Sequence, residues 1–249
     1  MSTSVDRNRL ASVPPVTLGV AFIGIGLLSL LAKDFAFTWE PYPEGLANRE
    51  AWGVVSGVVG LLGGALTLVP RTRTLGGLVL AVFVGLWALA LHAPLVAAKP
   101  AVVAGWNGVA ETTAIALGAF VVSREARPGL PDAMIALAIR VFGACCVVFG
   151  LAHVVYAEFT SQMVPEWMPM RLQLAYLTGA IHILTGLAML VGIRARTAAT
   201  IEGLMMLSFV LLVHVPRVAA KPMDRLEVTM LCIAVALSSS AFAMATSRK

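Results

Sequence analysis

Long apolar runs separated by short polar breaks make up most of the chain. They fall near residues 16–33, 51–69, 75–95, 102–123, 133–157, 171–192, 198–216 and 225–245, and the charges and most prolines collect between them. About 20 apolar residues at 1.5 Å rise cross a hydrocarbon core of about 30 Å, so runs of this length read as membrane helices. They are too long and too uniform for barrel strands, which need about ten alternating residues. The pattern predicts an all-α polytopic membrane protein with about eight transmembrane helices. The first run is longer than the apolar core of a signal peptide, and Ala32-Lys33-Asp34 is not a small-residue cleavage site, so it is expected to remain as a span.

The pattern also repeats. LHAPLVAAKP (Leu91 to Pro100) returns as VHVPRVAAKP (Val213 to Pro222), 122 residues later. At the same spacing Pro43-Glu44 matches Pro165-Glu166, Arg49 matches Arg171, Gly57 matches Gly179 and Gly64 matches Gly186, with no gap from residue 43 to 100. A tandem duplication of a four-helix unit is expected, residues 1–128 and 129–249. An even number of spans per unit gives the two units the same orientation, related by an axis along the membrane normal.

Composition agrees: 59% of residues are hydrophobic and 12% charged, against roughly 25% charged in soluble domains. With eight spans, one side collects Arg7, Arg9, Arg71, Arg73, Arg124, Arg127, Arg194, Arg196, Arg248 and Lys249. The other collects Lys33, Arg49, Lys99, Arg171, Arg217, Lys221 and Arg225, and most of the acids. The positive-inside rule then places both termini in the cytoplasm. The net charge of +5 reads as topology, because no basic stripe with interleaved aromatics marks a nucleic-acid surface.

The tract MVPEWMPMRLQLAYLTGAIHILTGLAML, followed by an Arg-containing turn and LLVHVPRVAAKP, resembles the DoxX and DoxX-like family of small membrane proteins. Residues 133–245 carry the pattern clearly. The first half carries it weakly, with WEPYPEG in place of the Val-Pro-x-Trp loop and Ser56-Gly57 where Thr178-Gly179 stands. The resemblance implies a four-helix membrane unit, in a bacterial cytoplasmic membrane, associated in some members with quinol oxidase or other membrane redox complexes and in others with membrane-protein assembly.

All four histidines lie in apolar segments: His92, His153 and His214 near the outer ends of their spans, His182 near mid-span. Ionisable residues in a membrane default to a functional hypothesis. Gly53, Gly57, Gly60 and Gly64 mark a small-residue face whose counterparts are Ala175, Gly179, His182 and Gly186, so His182 points into the second bundle, which becomes the expected working half. The expected ligand-binding set is His182, His214, His153, Glu158 and Trp167, around a quinone or similar amphipathic molecule. Haem ligation by His92 and His214 is the less favoured reading. For both His-x-Pro histidines the alternative is a helix-end device satisfying a carbonyl that proline frees. Glu111 and Arg140 are expected to pair across the junction of the repeats. No C-x-x-C, phosphate loop or hydrolase motif appears, so no catalytic residue, metal set or independent enzymatic activity is assigned. An accessory subunit of a membrane redox system is the expected function. A scaffold or assembly factor packing on another membrane protein through small-residue faces is the alternative, and a transporter comes third. Membrane lipid is the expected surrounding and nucleic acid is not an expected partner.

Overall fold

The computed structural model describes residues 2–43, 45, 47–125 and 132–247, with side chains from Ser12 onward and excluding that of residue 125. Glu44, Arg127, Arg248, Lys249, the side chains of Arg7 and Arg9, and the boundary between 128 and 129 lie outside the described residues. The main helices are α1 (Ser2–Ala32), α2 (Arg49–Leu68), α3 (Arg73–Ala98), α4 (Val103–Glu125), α5 (Asp132–Val155), α6 (Arg171–Val191), α7 (Ala195–Ala220) and α8 (Arg225–Thr246). A 3-10 turn at Phe37–Trp39 and a short helix at Ala157–Met163 sit in the two long loops, on one face of the bundle, hereafter the long-loop face. No strand occurs among the described residues.

Seven of these helices are long and apolar enough to cross a membrane. They expose Leu31, Val82, Leu89 and Leu184, the outward apolar surface expected of a multi-pass protein embedded in lipid. The helix outside this group is α4. At 23 residues it is long enough, but Asn107, Glu111, Thr112 and Thr113 dilute its first half. These groups turn inward: α4 packs on α3, α5 and α8.

The helices form a ring in chain order, closed by α1 against α8 and pinched by contact of α4 with α8. Two five-helix lobes result, sharing α4 and α8: lobe 1 adds α1, α2 and α3, and lobe 2 adds α5, α6 and α7. This differs from two separate four-helix bundles, because each quartet's first helix leans on the last helix of the other. Local geometry recurs at the 122-residue spacing. Asn48 (φ 61°) and Met170 (φ 58°) precede α2 and α6 in the left-handed region. Lys99 (φ −140°, ψ 69°) and Lys221 (φ −139°, ψ 69°) end α3 and α7.

Glycine sets the closest approaches. A Cβ on Gly64 would stand 2.6 Å from the Gly19 carbonyl oxygen, and one on Gly26 2.6 Å from that of Gly57. In lobe 2, Gly143 meets the Gly186 oxygen at 2.6 Å and Gly150 that of Gly179 at 2.5 Å. Only residues without side chains let backbones approach this closely. The α2 stripe is thus spent inside the chain, against α1, and is not free to pack on a partner.

The His-x-Pro segments do not end their helices. In both, a π-helical stretch (Trp87–His92, Val210–His214) precedes the proline, and helix resumes to Ala98 and Ala220. The wider turn absorbs the steric and hydrogen-bonding defect of proline, so no imidazole is needed to satisfy a freed carbonyl.

Candidate functional site

The site begins with a residue the sequence reading passed over. Glu202 lies on the inward face of α7 and is 0% exposed. Its carboxyl meets the Nδ1 of His182 on α6 and the hydroxyl of Thr185 one turn further along. The Cys146 thiol of α5 also reaches it. His182 is 2% exposed, so its placement inside lobe 2 follows the helix phase set by Gly179 and Gly186. The ring of His153 stands edge-on to His182 at 4.9 Å between centroids, and its Nδ1 lies 3.0 Å from the Thr178 hydroxyl. Thr178, His153, His182, Glu202 and Thr185 therefore form one polar chain crossing three helices, half-buried at Thr178 and His153 and buried at the other three. Burying a carboxyl in an apolar interior costs several kcal/mol unless it is hydrogen-bonded, and here His182 and Thr185 bond its two oxygens.

Above this chain, toward the long-loop face, opens a cavity of about 530 Å³. His153, His182 and His214 all line it, among Phe149, Phe209, Met206 and Met230. Lobe 1 contributes Trp39, and α4 contributes Asn107 and Glu111, so the second quartet alone does not build the site. The Nδ1 of His214 is buried with no partner among the described residues.

Two expected ligand-binding residues stand elsewhere. Glu158 is exposed on the short helix, and Trp167 is 72% exposed in the loop before α6. Neither lines the cavity. Their polar loop sits on the rim, and Phe159, Met163, Val164 and Met168 from the same segment form the wall instead.

The expected Glu111–Arg140 pair is absent. Glu111 receives the Trp39 indole N–H at 2.7 Å and the Asn107 amide at 2.9 Å, while Arg140 is exposed on α5. Both residues lie eight positions from their helix starts, but α4 starts at the long-loop face and α5 at the opposite one. Each is about 12 Å in from its own end, which leaves about 10 Å between them along helices of about 34 Å.

In lobe 1 the corresponding loop folds inward. His92, 4% exposed, spends its Nε2 on the Trp39 carbonyl oxygen at 3.0 Å. The Glu40 carboxyl accepts from the Ser56 hydroxyl and, at 2.9 Å, from the Ala36 N–H. Burial of this loop carboxyl raises its pKa above the usual carboxylate value, an effect the two hydrogen bonds only partly offset. Arg225 of α8 pins the same loop, lying 4.4 Å over the Phe37 ring and donating to the Asp34 carbonyl oxygen at 3.1 Å. At the 122-residue spacing, Gly60 and Leu80 stand where lobe 2 has His182 and Glu202.

Among the described residues no group of three or more His, Cys, Asp or Glu side chains is placed to hold a metal ion. Cys145, Cys146 and Cys232 are free thiols. Glu202 had a signal in the sequence, a carboxylate inside an apolar run (Ala199 to Leu212). No family model, curated protein or solved structure matches the chain.

Proposed function

We propose that the chain is a DoxX-like accessory subunit of a membrane redox system, built as a duplicated four-helix unit with eight spans and both termini cytoplasmic. Its cavity binds a quinone-like lipophilic ligand from the outer leaflet. The observation that carries the reading is the cavity itself. Its apolar and aromatic walls suit a hydrophobic body, and three imidazoles with Glu111 supply convergent polar groups for an oxygen-bearing head. The matched backbone angles and glycine contacts support the duplication, and the inward-turned polar half of α4 supports counting it as a span. Haem ligation by His92 with His214 is disfavoured, since His92 already bonds Trp39.

The purified protein is expected to yield a stoichiometric lipid-soluble ligand on extraction. His182→Ala and His214→Ala should each weaken rebinding of a decyl-benzoquinone by about tenfold or more, the loss of about 1.4 kcal/mol. His92→Ala should weaken it less, because that imidazole lies behind the Trp39 loop. Equal affinities for the parent and all three variants would remove the cavity from the account. The scaffold reading has one observation in its favour: Arg140 stands exposed on a membrane-spanning helix. Constant co-purification with one membrane partner, lost in Arg140→Leu and without bound ligand, would select it.

A further inference from the structure

His92 and His214 hold the same place in the two lobes, 122 residues apart and each at the end of a π-helical stretch. Their partners differ. The His92 Nε2 lies 3.0 Å from the Trp39 carbonyl oxygen. A carbonyl oxygen can only accept, so Nε2 carries the hydrogen and donates it. His214 makes no hydrogen bond among the described residues.

The loops account for the difference. Phe37-Thr38-Trp39 and Phe159-Thr160-Ser161 stand at the same 122-residue spacing. In lobe 1 the tripeptide forms the 3-10 turn, and its last carbonyl is left for His92. In lobe 2 the tripeptide is wound into the short helix Ala157–Met163, and the Ser161 carbonyl oxygen accepts from the Val164 N–H at 3.2 Å. The chain thus supplies an oxygen to one imidazole and withholds it from the other. The neighbouring helix changes in the same sense. The His92 ring packs so closely over Gly108 that a Cβ there would run into its Nδ1 edge, whereas the counterpart of Gly108 is Met230, which lines the cavity with His214. An unpaired imidazole inside a protein calls for a partner. The His214 Nδ1 is enclosed, so a molecule in the cavity can reach the ring only at Nε2. Nothing bonds Nδ1, so no neighbour fixes the tautomer, and a carbonyl oxygen at Nε2 draws the hydrogen there as it does at His92.

We infer that lobe 1 carries in its own chain the contact that lobe 2 leaves to its ligand: a carbonyl oxygen of a lipophilic molecule accepts from the His214 Nε2, as the Trp39 carbonyl oxygen accepts from His92. The inference rests on the cavity being a ligand site, as proposed above, and assigns the ligand's carbonyl to one of its three imidazoles. A membrane offers two sources of such a carbonyl, a quinone-like ring and the ester of a phospholipid, and both would meet His214 by the same bond.

The test uses the full-length protein in nanodiscs of ether-linked lipid, which bring no ester carbonyl, and of ester-linked lipid. The probes are decyl-benzoquinone and decyl-1,4-dimethoxybenzene, whose ring oxygens are ethers, with empty nanodiscs subtracting partition into lipid. In ether lipid the quinone should bind about tenfold more tightly or better, the discrimination that one buried hydrogen bond gives. His214→Phe, which keeps a ring without a donor, should bring the ratio close to one. His214→Gln, whose amide can donate, should keep part of it. A second readout needs no variant: one of the two carbonyl stretches of the bound quinone should move to lower infrared frequency. If the quinone binds but with no preference over the ether, with the full preference kept in His214→Phe, or with both carbonyl stretches unmoved, the contact at His214 fails and the cavity reading survives. Equal quinone affinity in the two lipids identifies the quinone ring as the occupant. Affinity that collapses in ester lipid identifies the phospholipid ester, and then the contact stands while the quinone reading falls. If decyl-benzoquinone binds in neither lipid, both fall together.

Discussion

Lobe 1 and lobe 2 share a frame and differ in what fills it. In lobe 1 the places of Cys146, His182 and Glu202 hold no polar side chain: Phe22, Leu80, Val84 and Trp87 are buried there, with Phe22 and Trp87 rings 6.4 Å apart. The glycine contacts align α1 with α5 so that Phe22 falls at the place of Cys146 and Ser29 at that of His153. Lobe 2 thus replaces a phenylalanine, a glycine and a leucine by a thiol, an imidazole and a carboxyl. The loops follow suit. The Phe37–Trp39 turn covers His92, whereas the corresponding loop of lobe 2 forms the short helix Ala157–Met163 at the rim and leaves His214 facing open space. A frame that recurs in both lobes lets one lobe hold the structure while the other carries polar groups that weaken packing.

If the frame is shared, the largest effects should be equal in the two lobes. Gly64→Leu and Gly186→Leu each drive a side chain into backbone that a Cβ would already meet at 2.6 Å. Both should abolish the monodisperse folded protein on size exclusion in detergent. A protein that tolerates one and not the other would break the equivalence. The contents can then be exchanged without touching the frame. The double variant His182→Gly with Glu202→Leu copies lobe 1 into lobe 2. Replacing a buried polar pair by apolar groups is often neutral or stabilising, while removing one partner leaves an uncompensated group and costs about 3–5 kcal/mol. Thermal unfolding should therefore rank the double variant near the parent and Glu202→Ala far below it, and ligand binding should be lost in both. A double variant as unstable as Glu202→Ala would mean that the polar chain holds lobe 2 together.

Much of this frame was legible in the sequence, and the site only in part. Seven of the eight expected apolar runs coincide with helices long and apolar enough to cross a membrane, and the inward position of His182 followed from its register with Gly60. What periodicity cannot give is which helices close on which. The packing of α4 on α5 and α8 is tertiary, and it brings Glu111, with Trp39 bonded to it, to a cavity that seemed to belong to the second half alone. The Glu111–Arg140 pairing failed because helices entering from opposite faces place equal sequence positions at different depths. Glu158 and Trp167 were chosen as polar and aromatic loop residues, but the wall is formed by the apolar side chains between them. Glu202 was missed although one carboxylate in an apolar run is among the clearest signals a membrane sequence offers.

A smaller effect separates the loops. Trp39→Ala removes the indole that donates to Glu111 and lines the cavity, while keeping the backbone carbonyl that His92 bonds. It should destabilise the protein by about 2 kcal/mol, less than the roughly 3–5 kcal/mol of a fully buried tryptophan because Trp39 is only half-buried. It should also admit bulkier ligands, read as a loss of selectivity between straight-chain and branched alkyl benzoquinones. Phe159→Ala, on the exposed rim segment of lobe 2, should cost well under 1 kcal/mol. Equal losses would mean that the second loop is as firmly seated as the first.

The smallest effect expected concerns the carboxyl that seats the first loop. Glu40 is buried in the loop against Ser56 and the Ala36 N–H, and burial raises its pKa above the ordinary carboxylate value. A carboxyl whose folded-state pKa is raised binds its proton more tightly in the native state than in the unfolded chain. Its contribution to stability is therefore full below the unfolded value and is lost as pH rises through the folded one. At neutral pH the ionised form is held at a cost. Glu40→Gln keeps the shape and removes the charge, its oxygen accepting from the Ala36 N–H and its amide donating to the Ser56 oxygen, whose hydroxyl hydrogen turns away. The unfolding temperature at pH 7 should rise by roughly 2–4 °C, the shift about 1 kcal/mol gives in a chain of this size. Between pH 4 and pH 7 the parent should lose stability relative to the variant, and the two should converge at the acid end, where both groups are neutral. A variant less stable than the parent at pH 7 would show that the ionised carboxylate is what holds the loop, with Arg225 nearby as its counter-charge. Lobe 1 would then be closed by charge, and the contrast with lobe 2 would lie in where each keeps its carboxylate rather than in whether it has one.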